Sequence, residues 1–173
     1  MLRRSLVFIC AIVFTPQAWA ADPSSAALRP MPAPNTDTFL AKTIAANTFE
    51  IESSKLAVAK THSDAVRAFA SRMIKDHVRL GTEFEQAVSD AGLKLPPARM
   101  DSQGRFTCDD LRSKLAADLD KEYVQAQYNG HAETVAMFRA YANSGEDARL
   151  KRFAAETLPI LEAHLAEVKK LRK

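Results

Sequence analysis

Apolar side chains recur at alternating steps of four and three residues along three long stretches of this chain. The stretches run from Val66 to Ala91, from Val124 to Tyr141 and from Leu150 to Leu171. This spacing keeps one stripe of side chains on one face of an α-helix, and no segment shows the sustained two-residue alternation of a strand. The stripes must be buried against one another, so the sequence predicts an all-α fold.

Capping and turn residues divide the chain into four predicted helices. Ser63 is a good N-cap and Gly92 a good C-terminal stop. Between the second and third helices, Leu93 to Phe106 contains Pro96, Pro97 and Gly104 and predicts a long loop, after which Thr107 is the predicted cap of a short helical stretch. Two helical hairpins joined by a loop of about 15 residues form a four-helix bundle. The predicted helices run from about Asp37 to Lys60, from after Ser63 to Ala91, onward from the Thr107 stretch to about Asn143, and from Glu146 to the C-terminus.

The first twenty residues predict a secretory signal peptide. Arg3 and Arg4 precede an apolar run, Leu6 to Phe14, and Ala18-Trp19-Ala20 fits the cleavage rule, so the mature chain is expected to start at Ala21. The alternative is a short membrane anchor, but the apolar run is shorter than the roughly 20 residues that a spanning helix needs. The sequence therefore predicts an exported protein, periplasmic or secreted, without stable membrane insertion after signal removal.

Removal of residues 1–20 changes the composition that matters for function. The net charge of +3 falls to +1 because two of the 24 basic residues lie in the signal, and Cys108 is the only cysteine left of two. A nearly neutral surface argues against nucleic acid as a partner, and one cysteine cannot form an internal disulfide. Residues 21–36 are rich in proline and predict a linker, which leaves residues 37–171 as the folded domain.

Three histidines fall on the inward stripes of three different helices: His77, His131 and His164. The first helix offers Glu50 or Glu52 as an inward carboxylate, with Asn47 one turn earlier. Imidazole with carboxylate suits Zn, Fe or Cu, so the three histidines and Glu50 are the candidate metal ligands. Each ligand would need a hydrogen-bond partner behind it. The candidate partners are Asp76, Tyr123, Gln127 and Tyr128.

Structural histidines are the alternative interpretation, since a buried neutral imidazole can be satisfied by a single hydrogen bond and specify packing. Reflecting the fourth helix onto the third about Gly145 places His164 about 7.5 Å from the level of His131. This predicts His164 as an outlying ligand. If the long loop crosses the bundle so that the second and third helices run parallel, His77 and His131 lie at similar depths.

The sequence predicts no catalytic residues. A di-iron carboxylate centre needs Glu three residues before His, and Ile74, Tyr128 and Leu161 occupy those positions. Cys108 lies beside two aspartates that disfavour its thiolate, so it is interpreted as a partly buried loop cysteine, although pairing between chains stays open. Pro159 lies inside the fourth helix and predicts either curvature around the bundle or a bulge beside His131.

A set of short motifs is spread over the chain from about Asp37 to Leu171. They are Phe39-Leu40, Glu50-Ile51, Leu56-Ala57, Phe69-Ala70, Met73, Asp76-His77, Leu95-Pro96, Asp120, Tyr123, His131, Phe153-Ala154, Leu158-Pro159 and His164. Taken together, these motifs resemble an exported bacterial family, domain of unknown function 4142, which is assigned to the ferritin-like superfamily. The resemblance implies a ferritin-like four-helix bundle with a long crossover. It implies no established activity, but it makes His77, His131 and His164 recurrent family positions.

Three functional hypotheses follow. The first is an exported, non-enzymatic protein involved in envelope stress or in binding a partner. The second is a periplasmic metal-binding protein that uses His77, His131 and Glu50, with His164 further out. The third, a metal-dependent oxidase or peroxidase, is disfavoured by the missing Glu-x-x-His motifs.

Overall fold

A computed structural model describes residues 32–172, and within them the chain forms five α-helices and no β-strand. The all-α prediction is therefore confirmed for this part of the chain. The predicted signal peptide and most of the predicted linker lie outside the described residues. The helices are α1 (Thr36–Lys60), α2 (Asp64–Asp90), α3 (Ser102–Ser113), α4 (Ala116–Ser144) and α5 (Ala148–Leu171).

The ends of the long helices follow the capping residues that the sequence supplies. The side chains of Asn35, Ser63 and Asp147 accept backbone N–H groups at the starts of α1, α2 and α5. After α2, Gly92 adopts a φ of 70°, a left-handed conformation that glycine takes at little cost. The predicted bounds of α1 and α2 consequently agree with the structure to within one residue.

The start of α3 corrects the sequence prediction. The predicted loop from Leu93 to Phe106 ends early, because Asp101 caps a helix from Ser102 by accepting the N–H of Gly104 at 2.8 Å. Thr107 is not a cap; its hydroxyl lies inside α3 and donates to the carbonyl of Gln103 at 3.0 Å. The prediction places the start at Thr107 because Pro96, Pro97 and Gly104 extend the loop signal past Asp101.

Pairs of side chains fix the direction of α4 against α1. The hydroxyl of Tyr141 forms a hydrogen bond of 2.9 Å with that of Thr36 near the start of α1. The hydroxyl of Tyr123 forms one of 2.8 Å with that of Ser54 near the end of α1. Residue numbers along α1 therefore increase in the direction in which those along α4 decrease, so the two helices are antiparallel. Since the short turn after Lys60 also makes α2 antiparallel to α1, α2 and α4 run in the same direction, as the crossing-loop prediction required.

The opposite side of the molecule has the same kind of pairing. Phe84 of α2 packs on Phe153 of α5 with ring centroids 5.2 Å apart, and Arg72 pairs with Glu167 at 2.5 Å. These contacts make α2 and α5 antiparallel. Each of the four long helices contacts two others, α1 with α2 and α4, and α5 with α2 and α4.

Two apolar clusters hold these helices together, with a polar layer between them. One cluster contains Phe39, which stacks on Tyr141 at 3.8 Å, and the other contains Phe69, Met73 and Tyr123. Buried polar side chains fill the space between the clusters. These are Glu50, Ser53, Ser54, His77, Gln127, His131 and His164.

None of the described helices combines the length and the apolar character needed to cross a bilayer.

Replacing Asp101 by Ala tests the corrected start of α3. We expect a loss of about 1 kcal/mol in the free energy of unfolding, because the N–H of Gly104 loses its acceptor. Asp101→Asn keeps an acceptor and should cost much less, and Thr107→Ala should change stability by under about 0.5 kcal/mol. Urea unfolding followed by circular dichroism measures all three. A larger loss of unfolding free energy for Thr107→Ala than for Asp101→Ala would show that Thr107, as predicted from the sequence, is the N-cap of α3.

Candidate metal centre

Three imidazole rings meet in the middle of the polar layer. The ring centroids of His77, His131 and His164 are 5.4 to 5.7 Å apart, and one nitrogen of each ring lies within 4.8 Å of the other two. The residues are 4%, 1% and 0% exposed. The structure therefore brings together three of the four predicted ligands, one each from α2, α4 and α5.

The prediction that His164 lies away from the level of His131 is wrong. The reflection compared positions along helix axes, but helical side chains lean toward the N-terminus of their own helix. His131 lies nearer the α4–α5 turn and leans away from it, whereas His164 lies farther from the turn and leans toward it. The two tilts converge and close most of the axial separation, so His164 belongs to the cluster.

Each imidazole is held by a hydrogen bond on its outer side. Nδ1 of His77 lies 3.0 Å from Oδ1 of Asn47, and Nε2 of His164 lies 3.0 Å from Oδ2 of Asp76. Nδ1 of His131 lies 3.0 Å from the backbone carbonyl of Gln127, one turn earlier in α4. All three partners are oxygen acceptors, so each imidazole donates from its outer nitrogen.

The other three nitrogens, called the inner nitrogens below, therefore carry free lone pairs. They are Nε2 of His77, Nε2 of His131 and Nδ1 of His164, and all three are buried without a hydrogen-bond partner. Once the outer nitrogen of a neutral imidazole carries the proton, the inner nitrogen can only accept. Three acceptors without a donor are costly in a buried layer, unless a cation or a donating molecule lies among them.

The pKa values of His77 and His164 favour the neutral form of these two rings. Burial lowers the pKa of His77 well below its ordinary value, and the neighbouring His131 and His164 lower it further. Burial also lowers the pKa of His164 to about 4, against the opposing effect of its hydrogen bond to Asp76. Partial burial acts to raise the pKa of Asp76, but the bond from His164 and the charge of Arg72 hold it below its ordinary value. At neutral pH His77 and His164 are therefore uncharged, which is the form that binds metals.

Glu50, the fourth predicted ligand, lies beside the outer nitrogen of His131 and outside the group of inner nitrogens. Its Oε1 is 3.5 Å from Nδ1 of His131, and its Oε2 is buried without a partner. Burial raises the pKa of this carboxyl, although His131 and Gln127 act to lower it. From this position Glu50 acts on His131, and its carboxyl adds negative charge beside that ring when it is ionised.

The positions of the inner nitrogens fit a transition-metal ion after a small movement. Three atoms that are all within 4.8 Å of one another lie within about 2.8 Å of a common point, so bonds of about 2.1 Å require each to move by about 0.7 Å at most. Rotation of a side chain supplies a movement of that size. A set of three imidazoles suits Zn, Fe or Cu.

The other predicted partners of the ligands have different roles. The hydroxyl of Tyr123 bonds Ser54 at 2.8 Å, and Tyr128 lies under the guanidinium of Arg172. Gln127 contributes its backbone carbonyl to His131, while its side-chain amide donates to Ser53 at 3.1 Å. Of the four candidates, Asp76 and Gln127 contact an imidazole directly.

Three further sequence interpretations are resolved by burial. His62 is exposed, and Pro159 is also exposed, so the ring of Pro159 lies on the solvent side of α5. Cys108 is part of α3 rather than a loop and is fully buried, with its sulfur 3.7 Å from that of Met100. Burial raises the pKa of this thiol to about 11, in agreement with its predicted lack of nucleophilic character.

Sequence reasoning missed several residues that shape the site. Gly130 leaves room for Glu50, because a Cβ there would lie 3.2 Å from Oε1 of that carboxyl. Ser53 and Thr43 are buried polar residues on α1. A glycine inside a predicted helix, directly before His131, was the one available signal for a close approach.

Comparison with known proteins gives one match. The model of the family described as Domain of unknown function (DUF4142) matches residues 21–171. No curated protein and no solved structure matches the chain.

Lowering the pH should destabilise the metal-free protein. The unfolded chain takes up protons near pH 6.5, whereas folded His164 does so only near a pKa of about 4. Stability is therefore lost as the pH falls from about 6.5 toward 4, on the order of 2 kcal/mol from His164 by pH 5. The measurement is the free energy of unfolding in urea at pH 7 and pH 5, with a chelator present.

His164→Gln should show a smaller fall between the two pH values, while His62→Gln should behave like the wild type. Glu50, whose pKa is raised, acts in the opposite direction in both proteins, and His77, whose pKa is lowered, adds to the fall in both. An equal fall in wild type and His164→Gln would contradict the assignment.

Proposed function

The chain belongs to the DUF4142 family, a domain of unknown function, and we propose that it is an exported protein that binds one transition-metal ion. The proposed ligands are Nε2 of His77, Nε2 of His131 and Nδ1 of His164. Glu50 and Asp76 act behind the ligands. This is the second of the three hypotheses drawn from the sequence, with His164 included among the central ligands.

The convergence of three unpartnered imidazole nitrogens carries the proposal. Histidines that only specify packing need one satisfied hydrogen bond each and have no reason to aim their remaining lone pairs at one point. Here the outer hydrogen bonds fix both the tautomer and the orientation of each ring, as partners of metal-bound histidines do. A bound ion would satisfy all three inner nitrogens at once.

Buried charge supports a divalent ion. Asp76 lies behind His164 at 3.0 Å and Glu50 lies behind His131 at 3.5 Å. Three neutral imidazoles leave the +2 charge of an ion uncompensated, and an uncompensated buried charge is very costly. Two carboxylates on the far sides of the ligands can offset that charge, with zinc, iron and copper as the candidate ions.

A ferritin-like four-helix bundle and export complete the proposal. The parallel directions of α2 and α4, with α3 in the connection between them, support a bundle of two hairpins joined by a crossover. The family match begins at residue 21, directly after the predicted cleavage site. In an exported protein, a preformed site with three neutral imidazoles can take a metal ion without any redox change of the protein.

The proposed role is binding rather than catalysis. Cys108, a nucleophilic type of residue, has a pKa raised to about 11 and is therefore protonated at neutral pH. The Glu-x-x-His pairs of di-iron oxidases are absent from the three histidine positions.

Metal content tests the proposal directly. After loading with Zn²⁺ and dialysis, we expect about one ion per chain and a higher Tm, since a ligand at 100 times its Kd stabilises a protein by about 2.7 kcal/mol. His77→Gln, His131→Gln and His164→Gln should each lose the bound ion. Elemental analysis gives the content, and differential scanning calorimetry gives the Tm.

His62→Gln is the matched control, because His62 is exposed and should bind no ion in this site. Circular dichroism establishes that each variant is helical before its metal content is compared. Less than about 0.1 ion per wild-type chain with Zn²⁺, Fe²⁺ and Cu²⁺, together with an unchanged Tm, would reject metal binding.

Asp76→Asn should weaken Zn²⁺ binding by roughly 10- to 100-fold, because His164 loses the carboxylate that orients it and raises its basicity. Glu167→Gln is the matched control: Glu167 also pairs with Arg72, at 2.5 Å, but has no hydrogen bond to a histidine. Competition with a chromophoric chelator measures both affinities. Equal affinities in the two variants would show that Asp76 acts only on its arginine neighbours.

A further inference from the structure

A cavity of about 80 Å³ adjoins two of the proposed ligands. His77 and His131 form part of its wall, and it extends away from them between α1, α2 and α4. It reaches the surface beside Glu85 and Ala98, which are exposed. The metal centre therefore has one side that borders a space in the protein, while the carboxylate of Asp76 lies behind His164 and outside this space.

The part of the cavity away from the imidazoles is apolar and largely aromatic. Phe84, Phe138 and Phe153 contribute to its wall together with Leu80 and Leu161. The ring of Phe153 lies 5.2 Å from that of Phe84 and 6.0 Å from that of Phe138, so the three rings form one surface. Water finds few hydrogen-bond partners against such a surface, whereas a carbon framework packs well on it.

The wall of the cavity also carries polar atoms that have no hydrogen-bond partner. Oγ1 of Thr43, Oε2 of Glu50 and the inner nitrogens of His77 and His131 are buried without partners, and all four residues line the cavity. Thr43 is 6% exposed and lies on α1. Its hydroxyl is no part of the proposed ligand set, so the metal ion alone would leave it unsatisfied.

We propose that this cavity binds a small neutral organic molecule with one nitrogen or oxygen donor at the metal and an apolar body against the three phenylalanines. The proposal rests on the proposed metal site and names the ligand class that the site accepts. Three protein ligands leave the fourth position of a tetrahedral ion open. The donor takes that position, and the hydroxyl of Thr43 is a hydrogen-bond partner for a polar atom of the molecule elsewhere along the cavity wall.

The size and polarity of the cavity limit the ligand. A dry cavity of about 150 Å³ holds the six carbon atoms of benzene, so a space of about 80 Å³ encloses roughly three heavy atoms. A five-atom ring would also occupy the opening beside Glu85 and Ala98. The carboxylates of Glu50 and Asp76 offset the charge of a divalent ion, so an anionic ligand would bring an extra charge into an apolar space. A neutral molecule avoids that cost.

Pyrazole is a suitable probe because it is neutral at pH 7, has five heavy atoms and carries a nitrogen donor. The experiment titrates pyrazole into full-length Co²⁺-loaded protein and follows the visible absorption bands of the ion. We expect a saturable spectral change at one molecule per ion. Ala46→Leu narrows the cavity from α1 and should weaken pyrazole binding at least about tenfold, or 1.4 kcal/mol, without loss of Co²⁺.

Ala45→Leu is the matched control, because Ala45 is the neighbouring residue on α1 and does not line the cavity. It should bind both Co²⁺ and pyrazole like the wild type. Thr134→Leu narrows the same cavity from α4 and replaces Ala46→Leu if that variant does not fold.

The outcomes separate the two proposals. A wild-type protein that binds no Co²⁺ overturns the proposed function and the cavity ligand with it. If the protein binds Co²⁺ but its spectrum does not respond to pyrazole, the metal site stands and the cavity ligand is overturned. This is the result expected if the cavity holds only water. An equal response in Ala46→Leu and in wild type also overturns it, because pyrazole would then reach the ion by another side.

Discussion

Three imidazole nitrogens with free lone pairs lie close together in a buried layer, and the rest of the site depends on this constraint. A lone pair cannot satisfy another lone pair, so the arrangement is costly unless something electron-poor lies among the rings. The protein nevertheless enforces it, because Asn47, Asp76 and the carbonyl of Gln127 each take the proton-bearing side of one ring. Burial removes the alternative of protonating the rings of His77 and His164.

The apolar clusters on either side of this layer hold the polar groups in place. Phe39 stacks on Tyr141 in one cluster, and Phe69 meets Tyr123 edge-on in the other. These contacts fix the axial positions of α1, α2 and α4, so that small displacements of the imidazoles would disturb packing at both ends. Close-packed cores resist such displacement, and the site is therefore preorganised before any ion binds.

The sequence predicted the helices and their buried faces better than the level of each residue along the bundle. Helical spacing placed His77, His131 and His164 on inward stripes, and the structure buries all three. It could not place His164 at the level of His131, because counting residues along the helix axes ignores the tilt of the side chains toward the N-terminus of each helix. The start of α3 was missed at Asp101, since a short helix has too few periodic residues to mark its own beginning.

By itself, the sequence determined which segments are helical and which face of each helix is buried, because both depend on local spacing and capping residues. Only the tertiary structure decided which nitrogen of each histidine faces inward, because that choice depends on acceptors from other helices and from the backbone. It also decided that Glu50 lies behind His131 rather than among the inner nitrogens. Such placements depend on how several helices meet, and no spacing within one helix contains that information.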